Sequence, residues 1–306
     1  MRRYRILSLD GGGIKGLFSA TLLSRLLAER PRLIDAADLL AGTSTGGILA
    51  LGLAAGLEPQ QLARLYHEHA GRIFDDSLWD DVADLGKATG ADYDQGYLQR
   101  ELERQFGDAT LGQLGKRVLV PTFDLDAPAR RGRPRMWKPK FFHNFPGRDS
   151  DRREKVVDVA LRTSAAPTYF PSHQGYVDGG VVASNPSMAA VAQALDPRAA
   201  GRRVDELVLL SVGTGTAPQY IRGDRLDWGW AQWARPLLSL MISGVAGVAD
   251  FQCRQLLGKR YFRLDRVFDR GVALDDVREE TLLRLVRAAE RVPLRLVLRW
   301  LESHGW

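Results

Sequence analysis

Apolar runs rich in branched residues alternate along the chain with segments of helical period. The runs at 5–10 (RILSLD), 38–44 (DLLAGTS), 117–125 (RVLVPTFDL) and 206–215 (ELVLLSVGTG) predict buried strands, and 260–267 (RYFRLDRV) predicts a fifth. Segments near 16–29, 45–56, 59–72, 94–106, 154–164, 186–195 and 276–291 predict helices. Strand and helix in alternation give an α/β fold, with a largely parallel sheet covered on both faces. No repeat, low-complexity tract or linker interrupts the pattern, so 1–306 reads as a single domain with a helical tail after about 270.

Composition narrows this little, since 45% hydrophobic and 26% charged residues are ordinary for a globular chain. A net charge of +6 adds an inclination toward anionic partners such as lipid headgroups. Much of the excess is arginine in loops, at 128–135 (PARRGRPR) and 148–155 (RDSDRREK), where solvated surface explains it equally well. Cys253 is the one cysteine, which excludes an internal disulfide and a cysteine metal cluster and fits a reducing compartment. The N-terminal apolar run ends within a few residues at Asp10, too soon for a signal peptide. The stretch 236–251 (PLLSLMISGVAGVADF) is expected to be too short to span a bilayer. A cytoplasmic protein able to touch membranes is the expectation.

The first strand runs into DGGGIKG (10–16) and emerges as a helix. Gly11, Gly13 and Gly16 satisfy G-x-G-x-x-G, the dinucleotide fingerprint, with Asp35 or Asp38 about where a ribose ligand is expected. The same loop suits a plain tight turn, or an array of amides that receives an oxyanion. Gly42-Thr43-Ser44-Thr45-Gly46 then places G-x-S-x-G between a strand and a helix, the setting of a nucleophile elbow. The turn is sharp enough that side chains two positions either side of the serine would strike backbone, and glycine removes both clashes. The helix that follows aims its positive end at the serine.

A serine hydroxyl needs a base. Of the five histidines, His67, His69, His143, His173 and His304, only His304 comes late enough for the chain order of an α/β-hydrolase, and it sits in the terminal ESHGW. His67 and His69 fall on a helix, His173 precedes the candidate acid, and none is read as the base. The remaining candidate is Asp178, in YVDGGVVASNPS (176–187), where two glycines let a carboxylate approach another loop. In water an aspartate of pKa about 3.9 is a feeble base, and desolvation would improve it.

DGGGIKG, GTSTG (42–46) and DGG (178–180), in that order, resemble the signature of patatin-like phospholipases, and LRTSAAPTYFP (161–171) and SVGTGT (211–216) resemble further stretches of that family. The resemblance covers about 4–216, leaving 217–306 as a lid or helical C-terminal part. It implies a three-layer α/β/α sandwich and a lipid acyl hydrolase that works without calcium, histidine or cofactor. Carried onto this chain, Ser44 is the nucleophile, Asp178 the base, and Gly11, Gly12 and Gly13 the oxyanion hole. Lys15 stands where the family mostly has arginine, and lysine lacks the planar fork that a bidentate role requires. Membrane phospholipid, reached by transient surface contact, is the implied partner, and nucleic acid is not. Some bacterial patatin-like proteins resemble effectors of antiphage defence that a cyclic nucleotide activates, which makes such an activator an expectation here, though no motif marks a nucleotide site. An NAD-type oxidoreductase built on G-x-G-x-x-G is the alternative from another class. Trp228, Trp230 and Trp233 beside the apolar 236–247 stretch suit a lipid entrance, or equally a cover for the sheet.

Overall fold

Among the described residues seven strands form one sheet: β1 Tyr4–Leu9, β2 Leu39–Gly42, β3 Arg117–Ala127, β4 Met136–His143, β5 Tyr176–Asp178, β6 Leu207–Val212 and β7 Tyr261–Leu264. This computed structural model describes residues 3–73, 95–129, 132–223 and 227–306. The strand order is β4-β3-β2-β1-β6-β7, with β5 also on β3. β3, β2, β1, β6 and β7 run parallel to their neighbours, while β4 and β5 are antiparallel to β3. The helices among the described residues are α1 Gly16–Glu29, α2 Leu33–Ala36, α3 Thr45–Ala54, α4 Pro59–Ile73, α5 Gly96–Phe106, α6 Val156–Ser164, α7 Gly180–Ala183, α8 Ser187–Leu195, α9 Trp230–Leu257, α10 Glu279–Glu290 and α11 Arg295–Ser303.

The central strands β1, β2 and β6 read as nearly continuous apolar runs because each face of the sheet has its own core. Leu7, Leu9, Leu40, Val208 and Leu210 join Phe18, Leu49, Leu161 and Leu285 on one side. Ile6, Leu39, Ala41 and Leu209 join Ala190, Val191, Cys253 and Leu257 on the other. This is the α/β/α sandwich expected. Cys253 is a small core residue whose thiol burial pushes up to about 12.

Register decides where the chemistry lies. Leu9 pairs with Gly42, so β1 and β2 end side by side and the loops after them emerge together at the carboxyl edge of the sheet. β2 pairs with β3 only as far as Ala41 opposite Leu119. β5 takes up the same flank of β3 from Thr122, with Asp178 opposite Thr122. Asp178 therefore lands just beyond the end of β2, where the chain turns at Ser44.

Three elements differ from the sequence pattern. β4 carries Lys138, Pro139 and Lys140 and is largely exposed, as an edge strand tolerates. β5 is too short to show a period. α9 runs 28 residues through Pro236, Gly244 and Gly247. The apolar stretch expected to be too short for a bilayer is thus part of a longer element. By length and composition Pro236–Arg260 is long and apolar enough to cross a membrane, and only 11% of its apolar window is buried. Residues 130–131 of the first arginine run and the side chain of Trp230 lie outside the described residues.

Candidate active site

β2 ends at Gly42, and Ser44 adopts φ 55 and ψ −126 before α3 begins at Thr45. Positive φ in a serine is strained by about 1–3 kcal/mol and marks a backbone that its surroundings hold in place. A Cβ on Gly42 would collide with the Gly46 carbonyl, and one on Gly46 with the carbonyls of Leu9 and Asp10. The G-x-S-x-G spacing is thus obligatory for close backbone approach. The Ser44 amide donates to Thr163 Oγ1 at 2.9 Å, which pins the turn to α6.

The hydroxyl of Ser44 donates to Asp178 Oδ2 at 2.6 Å. The other oxygen, Asp178 Oδ1, accepts the Gly180 amide at 2.6 Å. Both side chains are nearly closed off, at 8% and 6% exposure. Burial raises the Asp178 carboxyl to about 6, against the lowering effect of the Ser44 and Gly180 hydrogen bonds. A desolvated carboxylate of that pKa is a far better proton acceptor near neutrality than an aspartate in water.

The glycine loop faces the same space. The Gly11 amide donates to the Ser184 carbonyl at 2.9 Å and the Ile14 amide to the Leu274 carbonyl at 2.8 Å. Among the described residues, the amides of Gly12 and Gly13 between them donate to nothing. Gly12 is held against Thr214, whose hydroxyl donates to the Gly11 carbonyl at 3.0 Å. A cavity of about 90 Å³ joins the loop to Ser44 and Asp178, with walls from Ile48, Leu65, Tyr66, Phe170, Leu238 and Ile242. Such a lining suits a hydrocarbon chain.

Beneath the loop lies a cage that sequence reasoning missed. Arg263 of β7 donates to Asp10 Oδ2 at 2.6 Å, to Asp265 Oδ2 at 2.7 Å and to Ser211 Oγ at 2.8 Å. Asp265 in turn accepts the Gly215 amide at 2.9 Å. Burial raises Asp10 to about 6 although Arg263 opposes it. The only hint in sequence was an aspartate before three glycines, and its partner lies more than 250 residues away.

The other candidates fall elsewhere. Lys15 lies in a separate hollow, its ammonium 3.5 Å from the Gly215 carbonyl. His67 faces Glu279, His69 Tyr97, His173 Asp158 and His304 Trp300, so none of these serves Ser44. Asp38 accepts the Arg5 amide at 2.8 Å, near the amino end of β1. The glycine loop is at the opposite end of that strand, so Asp38 cannot read a ribose whose pyrophosphate sits on the loop. The oxidoreductase alternative has no support.

Residues 7–191 match the family model described as patatin-like phospholipase. The chain belongs to that family. A cGAMP-activated phospholipase of Pseudomonas aeruginosa is 38% identical over 273 residues, covering 86% of this chain and 78% of that protein. One of Vibrio cholerae is 35% identical over 266 residues, covering 78% of this chain and 73% of that protein. Patatin-like protein 2 of Oryza sativa subsp. indica is 28% identical over 346 residues, covering 93% of this chain and 82% of that protein. As a patatin-like phospholipase the protein is a hydrolase of lipid esters, and the expected family resemblance and fold class hold.

Proposed function

We propose that this patatin-like phospholipase cleaves membrane phospholipid through a Ser44–Asp178 dyad and an acyl-enzyme. The observation that carries the reading is the 2.6 Å hydrogen bond from the Ser44 hydroxyl to the desolvated Asp178 carboxylate. Ser44 attacks the ester carbonyl while Asp178 takes its proton. The alcohol or lysolipid leaves with that proton. Water, deprotonated by the same carboxylate, then frees the fatty acid. Of the three loop glycines expected to bind the oxyanion, Gly11 already donates to Ser184, so Gly12 and Gly13 are the donors with capacity to spare. Each such donor contributes about 3 kcal/mol to lowering the barrier. The C-terminal part, 217–306, acts with the rest as one domain: β7 pairs with β6 and Leu274 holds the loop.

The base must be ionised to accept a proton, so activity should rise with pH through about 6 and then level off. The rate constant kcat/KM for a short soluble ester, followed from about pH 4.5 to 8, tests this. A profile that is flat or falls across that range rules out Asp178 as the base.

Membrane contact is assigned to α9. Leu238 and Ile242 wall the cavity, while Leu240, Met241, Val248 and Phe251 of the same helix face outward. Ala249, Cys253 and Leu257 anchor its far end in the core, so the helix lies along the body with its outer stripe free for the lipid interface. Replacing Met241 and Phe251 by aspartate should weaken sedimentation with vesicles at least about tenfold, because a charged group is costly to seat in an apolar interface. Hydrolysis of a short soluble ester should fall far less. Equal loss of both would make α9 a structural helix instead. A cyclic nucleotide activator is also proposed, on the strength of the relatives whose names say cGAMP-activated.

A further inference from the structure

Away from the dyad, a second cavity of about 350 Å³ opens between the segment 266–272 and α10. Five arginines line it: Arg266 and Arg270 from the segment, Arg284, Arg287 and Arg291 from α10 or just after it. Asp269 and Glu280 are the acidic groups of its lining. Among the described residues none of the five guanidiniums forms an ion pair; Arg284 reaches only the Gly271 carbonyl, at 3.3 Å. Elsewhere on this protein arginines take carboxylate partners readily, as Arg278 does with Asp276 at 2.6 Å. Five cations held around one hollow repel one another, and such an arrangement suits an anion that neutralises several at once.

We propose that this cavity is a regulatory site for a cyclic dinucleotide. The shared chemistry is that of a phosphodiester: guanidinium forks pair with the phosphate oxygens, and their flat faces stack on bases. The two carboxylates decide against inorganic phosphate or a bare lipid headgroup. They would repel a simple anion, whereas a purine base offers exocyclic N–H groups, and guanine a ring N–H besides, for them to accept. A volume of about 350 Å³ also lies in the range of small-molecule sites.

The segment that forms one wall leads to the catalytic cavity. Phe268 packs edge-on against Phe18 of α1 at 5.3 Å, and its amide donates to the Thr216 carbonyl at 2.7 Å. Six residues on, Leu274 accepts the Ile14 amide, abuts Gly13 and lines the cavity of Ser44. A ligand that draws Arg266 and Arg270 toward α10 therefore acts on the segment whose Leu274 abuts Gly13 and holds the Ile14 amide. Two sites and one connecting element are the parts that allosteric coupling requires. The identity of the ligand rests on the activator reading above; the place of the site does not.

The test is isothermal titration of the full chain with cGAMP and with cyclic di-AMP, beside sedimentation with phosphatidylglycerol vesicles. It compares the native protein with Arg287→Glu/Arg291→Glu and with Arg287→Lys/Arg291→Lys. Arg287 on α10 and Arg291 just past its end are both exposed, and thermal melting controls for folding. The expected result is cyclic dinucleotide binding that the glutamate pair weakens at least about 30-fold, with a smaller loss for the lysine pair. Activation of hydrolysis by the ligand should fall in parallel. Binding of cyclic di-AMP but not cGAMP, lost in the glutamate pair, supports the site and removes only the cGAMP activator. Undiminished cGAMP binding and activation in a folded glutamate pair overturns the site and leaves the activator standing. Vesicle retention lost in that pair, with no dinucleotide bound by the native protein, overturns it in favour of a membrane surface. Binding of neither dinucleotide by the native protein, with vesicle retention unaffected, overturns both.

Discussion

Ser44→Ala and Asp178→Asn are each expected to abolish useful ester hydrolysis in a protein that still folds. Loss of the serine removes the covalent route altogether, an effect on the order of 10⁴-fold or more in kcat. Asparagine keeps the shape and can still accept the Gly180 amide, but it cannot take the Ser44 proton, which should lower kcat by about 10² to 10⁴. The stability of the asparagine variant follows from the direction of the shift. Burial lifts the folded Asp178 carboxyl to about 6, above its unfolded value. Its contribution to stability is therefore fully present only at low pH and is lost as pH rises through about 6. Near pH 8 the native protein bears the cost of a buried charge that asparagine lacks, so the variant should melt no lower. Fatty acid release from mixed vesicles, measured beside thermal melts, checks both halves. Normal turnover in the folded asparagine variant removes the dyad.

Arg263→Met should be the most damaging substitution away from the dyad. It leaves the buried Asp10 and the part-buried Asp265 with no guanidinium between them, and stranding a buried charge such as Asp10 costs about 3–5 kcal/mol. Asp10, already raised to about 6 with Arg263 beside it, would rise further once that partner is gone. The sign follows: protonation relieves the stranded carboxylate, so the loss is largest above about pH 6 and shrinks on acidification. Urea unfolding of native and variant proteins at about pH 8 and pH 5.5 measures it. Adding Asp10→Asn to Arg263→Met should recover part of the stability at the higher pH. A loss below about 1 kcal/mol, equal at both pH values, would show that the cage does not brace the loop.

α9 shows why local rules mislead on an exposed helix. Proline and glycine have the poorest helix propensities, yet the helix is continuous from Trp230 to Leu257 through Pro236, Gly244 and Gly247. Pro236 stands in the helix's second turn, and Gly244 and Gly247 face open space where the lack of a side chain removes no packing. Propensity is a weak prior once one side of a helix is anchored, as this one is by Ala249, Cys253 and Leu257. The outward stripe was legible as apolar, but only burial distinguishes a core helix from an exposed one.

Read alone, the order of residues determined most of the frame. The central parallel strands β1, β2 and β6 are legible because burial on both faces demands nearly continuous apolar runs, and the elbow at Ser44 because its turn tolerates only glycine at 42 and 46. Those constraints act within a few residues, so they leave a local mark. Tertiary structure alone decided the rest. β5 carries no period of its own, and only its seat on β3, past the end of β2, brings Asp178 to Ser44. The partner of Asp10 is Arg263, and the five arginines beside α10 become one site only when segment and helix face each other. A charge in water costs little wherever it sits in the chain. Its energetic meaning comes from burial and from partners far away in sequence, which no local pattern records.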